Sequence, residues 1–130
     1  VRAEGVDRRL AEEVCECIRV HAFSAGLEPE SLEARVLQDA ERLDAVGAIG
    51  VARCFATCAS MKLPLYRPDD PFCELRTADD KSWGLDHFYC KLLKIPEALH
   101  TPTARAMGAE RASFLRLFLA RLRGEIALDR

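Results

Sequence analysis

Every long apolar segment of this chain recurs at three- and four-residue steps and none alternates residue by residue, so each can gather its apolar groups on one face only as an α-helix. An all-α domain follows. Asp7 is placed to cap a first helix on which Leu10, Val14, Cys17, Ile18 and His21 share a side, and which should end near Ser24, before Gly26. Ser31 is a second N-cap, with Glu33 in the first turn where a negative charge suits the helix dipole. The expected buried stripe of this second helix is Val36, Ala40, Leu43 and Gly47. Ala45, Gly47, Ala48 and Gly50 are small, and each interior glycine costs about 1 kcal/mol of helix propensity relative to alanine. Their presence implies tight packing, a bend or a break between two helices, after which the pattern resumes with Val51, Cys54, Phe55 and Cys58.

From Ser60 to Asp80 the periodicity lapses around Pro64, Pro68, Pro71 and the acidic pair Asp69 and Asp70. An irregular stretch of that length inside a compact domain is a candidate to shield a site. Helical spacing returns by Ser82 and runs through Leu85, Phe88, Leu92 and Ile95 until Pro96 interrupts it. Thr101 before Pro102 is a strong helix start, and the last helix carries Met107, Phe114, Leu117, Phe118 and Leu122. Trp83, Phe88 and Tyr89 read as core aromatics.

One domain spanning 1–130 accommodates all of this, since 49% hydrophobic and 31% charged residues suit a soluble globular chain of that size. A net charge of −2 and the absence of basic runs interleaved with aromatics argue against nucleic-acid binding. The arginines of the last helix, interrupted by Glu110 and Glu125, read as a solvated face. With no apolar run long enough to span a bilayer and no signal pattern, a cytoplasmic protein without membrane association is expected. Six cysteines lack the paired spacing of a zinc site, so buried free thiols are the expectation. The chain starts at Val1 rather than methionine, which fits an excerpt of a longer protein, a proteolytic product or the ordered part of one.

Three segments carry a resemblance. Cys17-Ile18-Arg19-Val20-His21-Ala22-Phe23-Ser24, the stretch VLQDAERLDAVGAIGVAR from Val36 to Arg53, and LDHFYCKLLKIPEALHTPTARAMGAERASFLRLF from Leu85 to Phe118 resemble, in order, the C-terminal portion of the small bacterial HD-domain phosphohydrolases. The resemblance implies an HD-type helical bundle, here without the N-terminal helices that bear the family's His and His-Asp motifs. The three histidines of this chain, His21, His87 and His100, precede Ala22, Phe88 and Thr101, so none forms a His-Asp pair. The family's last metal ligand is the second acid of an Asp-Ala-Asp-Arg-Leu-Asp pattern, which here reads Asp39-Ala40-Glu41-Arg42-Leu43-Asp44. The implied ligand is therefore Glu41, with Asp39 as the alternative, and the implied cofactor is a divalent cation such as Mn, Co, Mg or Fe.

By spacing alone a solvated helix face, with Glu41 or Asp44 paired to Arg42, Arg35 or another local base, is the favoured reading of these acids, and the resemblance reverses that order. The resemblance places His21 near the metal cleft, in a second-shell or phosphate-contacting role, against the plainer reading of a partly buried hydrogen-bonding residue. His87 and Lys91, four apart, share a helix face and are placed either to meet a phosphate oxygen together or to form a surface pair. Arg53 is expected to support the irregular segment through Asp69 and Asp70.

The implied activity is metal-assisted hydrolysis of phosphate esters or nucleotides, with the remaining ligands supplied by a missing N-terminal half. The alternative is a catalytically degenerate binding or assembly module, whose exposed apolar surface would favour homo-oligomers.

Overall fold

The computed structural model describes residues 5, 7–22 and 26–128, and every regular element among them is helical. Helix α1 (Arg8–Val20) opens on Asp7, whose carboxylate accepts the Arg9 N–H, and closes at Val20, short of the Ser24 end; Ser24 itself lies outside the described residues. Its stripe of Leu10, Val14 and Ile18 is 52%, 48% and 56% exposed, so the amphipathic face inferred from periodicity is real but unburied among the described residues. Val20 alone is buried from this helix.

Helix α2 (Leu32–Asp44) begins where the Ser31 hydroxyl accepts the Ala34 N–H at 3.1 Å. Its inward face differs from the expected stripe. Val36 and Ala40 face outward, while Ala34, Gln38, Asp39, Arg42 and Leu43 are buried. Three of those five are polar, and a polar face turns inward only where its groups find hydrogen bonds there. They do, as described below.

The small residues after α2 mark a break. Gly47 adopts φ +77°, a backbone that favours glycine, and helix α3 (Gly47–Ser60) departs at 68° from α2. Gly50 sits so close to the corner that a Cβ there would collide with the Ala45 carbonyl oxygen. Val51, Cys54 and Cys58 are buried on α3 as their spacing required, with Phe55 packed beside them.

The irregular segment is held by charge. Asp86, fully buried, takes two guanidinium N–H groups of Arg76, at 2.8 Å for the Oδ1 contact, and accepts the Asp79 N–H at 2.7 Å. Asp70 accepts the N–H groups of Glu74 and Leu75, each at 2.9 Å. This wiring also delays the next helix. Gly84 and Leu85 donate their N–H groups to the Pro64 and Leu65 carbonyls, so helical structure begins only after them rather than at Ser82. It is a π-helix over Phe88–Leu92, with the Leu93 N–H reaching the Phe88 carbonyl, and Pro96 lies within a 3₁₀ turn, Ile95–Ala98.

Helix α4 (Pro102–Leu128) starts at the predicted Thr101 cap, whose Oγ1 accepts the Ala104 N–H. Ala104, Gly108, Ala112, Leu115 and Leu119 form its buried line, with Phe118, Leu122 and Ile126 alongside, while Met107, Phe114 and Leu117 point outward. Phe88 stacks on Phe118 with ring centres 5.7 Å apart, and Phe55 closes the cluster. No single helix among the described residues is long and apolar enough to cross a membrane.

Candidate active-site cleft

One face of α3, repeating at three- and four-residue steps through Gly50, Arg53, Cys54 and Thr57, turns toward the π-helix and leaves a cleft of about 320 Å³. Arg53, Lys81, His87 and Lys91 bring basic groups to its wall and Asp80 brings an acid. Three sequence-predicted residues, Arg53, His87 and Lys91, thus meet in one place. The irregular segment forms part of that wall through Met61, Leu63 and Asp80, with Lys81 just beyond it.

Asp80 carried no signal in the sequence beyond its charge, yet its Oδ2 lies 2.8 Å from His87 Nδ1. A carboxylate only accepts, so Nδ1 carries the hydrogen. Arg53 does not reach the irregular segment. Its Nη1 pairs with the Asp44 carboxylate and carbonyl, while Asp69 pairs with Arg67 and Asp70 lies beside Arg76. The reason is local: Asp44 ends α2 at the corner from which α3 carries Arg53.

The floor of the cleft holds two thiols. Burial pushes Cys54 up to about 12, and Cys58 beside it acts in the same direction. Cys54 is therefore a neutral thiol near neutral pH rather than a nucleophile. All six cysteines are free, with Cys54 and Cys58 buried and Cys15 exposed.

Asp39 and Glu41 part company on α2. Asp39 is buried, its Oδ1 accepting the His100 N–H and its Oδ2 accepting both the N–H and the hydroxyl of Thr101, all at 2.8 Å. Burial acts to raise its carboxyl, but these three donors outweigh it and hold the group below the usual carboxylate range. Glu41 is half-buried, and its Oε2 is buried with no hydrogen-bond partner among the described residues. Ala45, which caps α2 four residues after Glu41, lines the cleft, so Glu41 lies about a turn from its rim.

Around Asp39 lies a polar cluster that sequence reasoning left unassembled. Gln38 donates through Nε2 to the Val20 and Leu27 carbonyls at 2.6 and 2.9 Å, which leaves its Oε1 facing His100 Nε2 at 2.7 Å. That imidazole nitrogen must therefore be the donor. Arg42 donates to the Ala98 carbonyl from beside the same ring. His21 is exposed, donating through Nδ1 to the Ile18 carbonyl at 2.6 Å, and does not line the cleft. No three histidine, cysteine, aspartate or glutamate side chains converge as a metal site among the described residues. Glu41, with its unpaired buried oxygen, fits one ligand position of such a site and no more.

No protein-family model matches the chain. Known proteins do. The chain is 32% identical over 126 residues to YpgQ of Bacillus subtilis, an uncharacterized protein, covering 94% of this chain and 56% of YpgQ. The crystal structure of B. subtilis YpgQ in complex with ADP superposes with a TM-score of 0.73 at 31% identity, over 93% of this chain and 55% of that one. An HD-superfamily hydrolase from Bacillus thuringiensis gives 0.69 at 30% identity, again over 93% and 55%. The chain spans a little over half the length of these relatives, and its fold is an HD-like helical bundle.

Proposed function

We propose that this chain is the C-terminal portion of a metal-dependent HD-type phosphohydrolase that acts on phosphate esters or nucleotides, and that its active site is completed by residues outside the 130. The observation that carries this reading is the cleft itself, which gathers four basic side chains and is lined by Ala45, four residues along the chain from Glu41, whose Oε2 is buried without a partner among the described residues. Arg53, His87 and Lys91 contact the phosphate. The ADP found on YpgQ supports a small nucleotide as the ligand class.

Glu41 is the metal ligand of this portion, for a divalent ion such as Mn, Co, Mg or Fe. Asp39 is the weaker candidate because both of its oxygens already hold the start of α4. When bound, such a cation supplies a water of lowered pKa and neutralises charge developing on the phosphoryl oxygens. The support for a role of His21 beside the ligand helix is its neighbour Val20, whose carbonyl accepts from Gln38 one turn before Glu41; the His21 ring itself is exposed and outside the cleft.

The test compares the 130-residue chain with an extended form bearing an upstream His and His-Asp motif. The short chain should hydrolyse nucleotides poorly or not at all with manganese, cobalt or magnesium, and the extended form should turn over. Equal metal-dependent rates would overturn the shared-site reading. In the extended form, Glu41→Gln should weaken calorimetric manganese binding by at least about 10 to 100-fold.

A second reading, a degenerate binding or assembly module, draws on the half-exposed Leu10, Val14 and Ile18 of α1. It predicts self-association that Val14→Asp abolishes, with no turnover in any extended form.

A further inference from the structure

We propose that His87, positioned by Asp80, delivers the proton to the leaving oxygen in the cleft, an inference that rests on the phosphohydrolase reading above. The two side chains are 32% and 33% exposed and 2.8 Å apart, so the pair is open to a ligand yet fixed in geometry. With Nδ1 committed to Asp80, Nε2 is the ring nitrogen left to serve a ligand of the cleft that His87 lines. A ring held at one nitrogen by a carboxylate, on the wall of a cleft with room for a phosphate, is an arrangement that can move a proton through the other nitrogen.

The charged groups that share the cleft with His87 are Asp80 and Lys81, Arg53 on α3, which also pairs with Asp44, and Lys91 on the π-helix. A phosphate dianion complements these three cations and offers the imidazole an acceptor for its second ring nitrogen.

The step balances as follows. The oxygen of a water molecule bonds to phosphorus as the bond from phosphorus to the leaving oxygen breaks. The leaving oxygen takes the Nε2 proton, the water passes one proton to solvent, and phosphate and alcohol depart. His87 is left neutral with hydrogen on Nδ1 and regains its proton from solvent. The more basic the leaving oxygen, the more the reaction depends on this proton, so the dyad matters most for alkyl or sugar esters and least for activated aryl esters.

Two measurements test this. On the 130-residue chain, nitrogen-15 imidazole spectra should show neutral His87 hydrogenated at Nδ1, with Asp80→Ala releasing it toward the other tautomer and inorganic pyrophosphate shifting the Nε2 resonance. A neutral ring hydrogenated at Nε2, or a spectrum indifferent to pyrophosphate, overturns the proposal. In the full-length natural protein, His87→Gln should cost roughly 10² to 10⁴-fold in kcat on an alkyl phosphate, much less on p-nitrophenyl phosphate, and should remove the alkaline limb of the pH profile. Equal losses on both esters overturn the proton-donor role while leaving the phosphohydrolase reading intact. No turnover of either ester by the wild-type protein overturns both.

Discussion

Asp39→Asn should be far more damaging to folding than Glu41→Gln, although the two acids lie two residues apart on one helix. Asp39 is buried and accepts three hydrogen bonds, from the His100 N–H, the Thr101 N–H and the Thr101 hydroxyl. An asparagine keeps one carbonyl oxygen and turns an amide N–H₂ toward donors, so the side facing Thr101 loses its two bonds or the side facing His100 loses one. Hydrogen bonds to a charged group contribute about 1.5–3 kcal/mol each, and a buried donor left without a partner adds to the cost. A loss of about 3–5 kcal/mol is expected, set against a total stability of about 5–15 kcal/mol for a domain of ordinary size. Glu41→Gln removes charge from an oxygen that has no partner among the described residues, and the expected change is within about 1 kcal/mol, of either sign. Urea unfolding followed by circular dichroism at 222 nm (a helix signal, about the usual wavelength) reads both. Equal midpoints for the two variants, or an Asp39→Asn within about 1 kcal/mol of wild type, would refute the assignment of Asp39 to structure.

Acid should weaken the domain for the same reason. Asp39 and Asp86 are both held below the usual carboxylate range, Asp86 because Arg76 and the Asp79 N–H outweigh its burial, so their contribution is complete above the unfolded carboxyl value and is lost as pH falls through the folded one. Unfolding midpoints measured from neutral to strongly acidic pH should fall, and Asp39→Asn should narrow its gap from wild type at the acidic end. Arg76→Ala should cost about 3–5 kcal/mol, because it strands the fully buried Asp86, and hydrogen exchange should quicken first in residues 61–85. Gly50→Ala should destabilise by roughly 1–3 kcal/mol despite its better helix propensity, since its methyl group meets the Ala45 carbonyl; a gain in urea midpoint would show that the corner between α2 and α3 yields.

What the sequence made legible was local. Asp7, Ser31 and Thr101-Pro102 mark helix starts within one turn of the groups they cap, and a reader needs only neighbouring residues to find them. The glycines at 47 and 50 announced a discontinuity and left open which kind. The inward face of α2 was half legible, because Leu43 and Gly47 are buried as expected while apolar Val36 and Ala40 were given the place that Gln38, Asp39 and Arg42 occupy. Their partners lie elsewhere in the chain, Asp39 meeting Thr101 across 62 positions and Gln38 meeting Val20 across 18. The cleft was half legible for the same reason. His87 and Lys91 stand four apart, whereas Asp80 reaches His87 only because the irregular segment is folded back by Arg76 and Asp86.

That difference in partners gives the acidic stretch its meaning. Two carboxylates two positions apart on a helix face different surroundings, so a single cation cannot draw equally on both. Asp39 turns toward the loop before α4 and is saturated by it, which joins α2 to α4 and fixes the rotation of α2 about its own axis. With that rotation fixed, Glu41 has no freedom to choose its direction. Its side chain emerges a turn from the cleft rim, carrying an oxygen that the described residues shield from water and leave without a donor. Shielding a carboxylate oxygen without giving it a partner is costly in a finished protein. A cation or a donor from outside these residues would offset that cost, so the structural role of Asp39 is compatible with the proposal that Glu41, rather than Asp39, is the ligand.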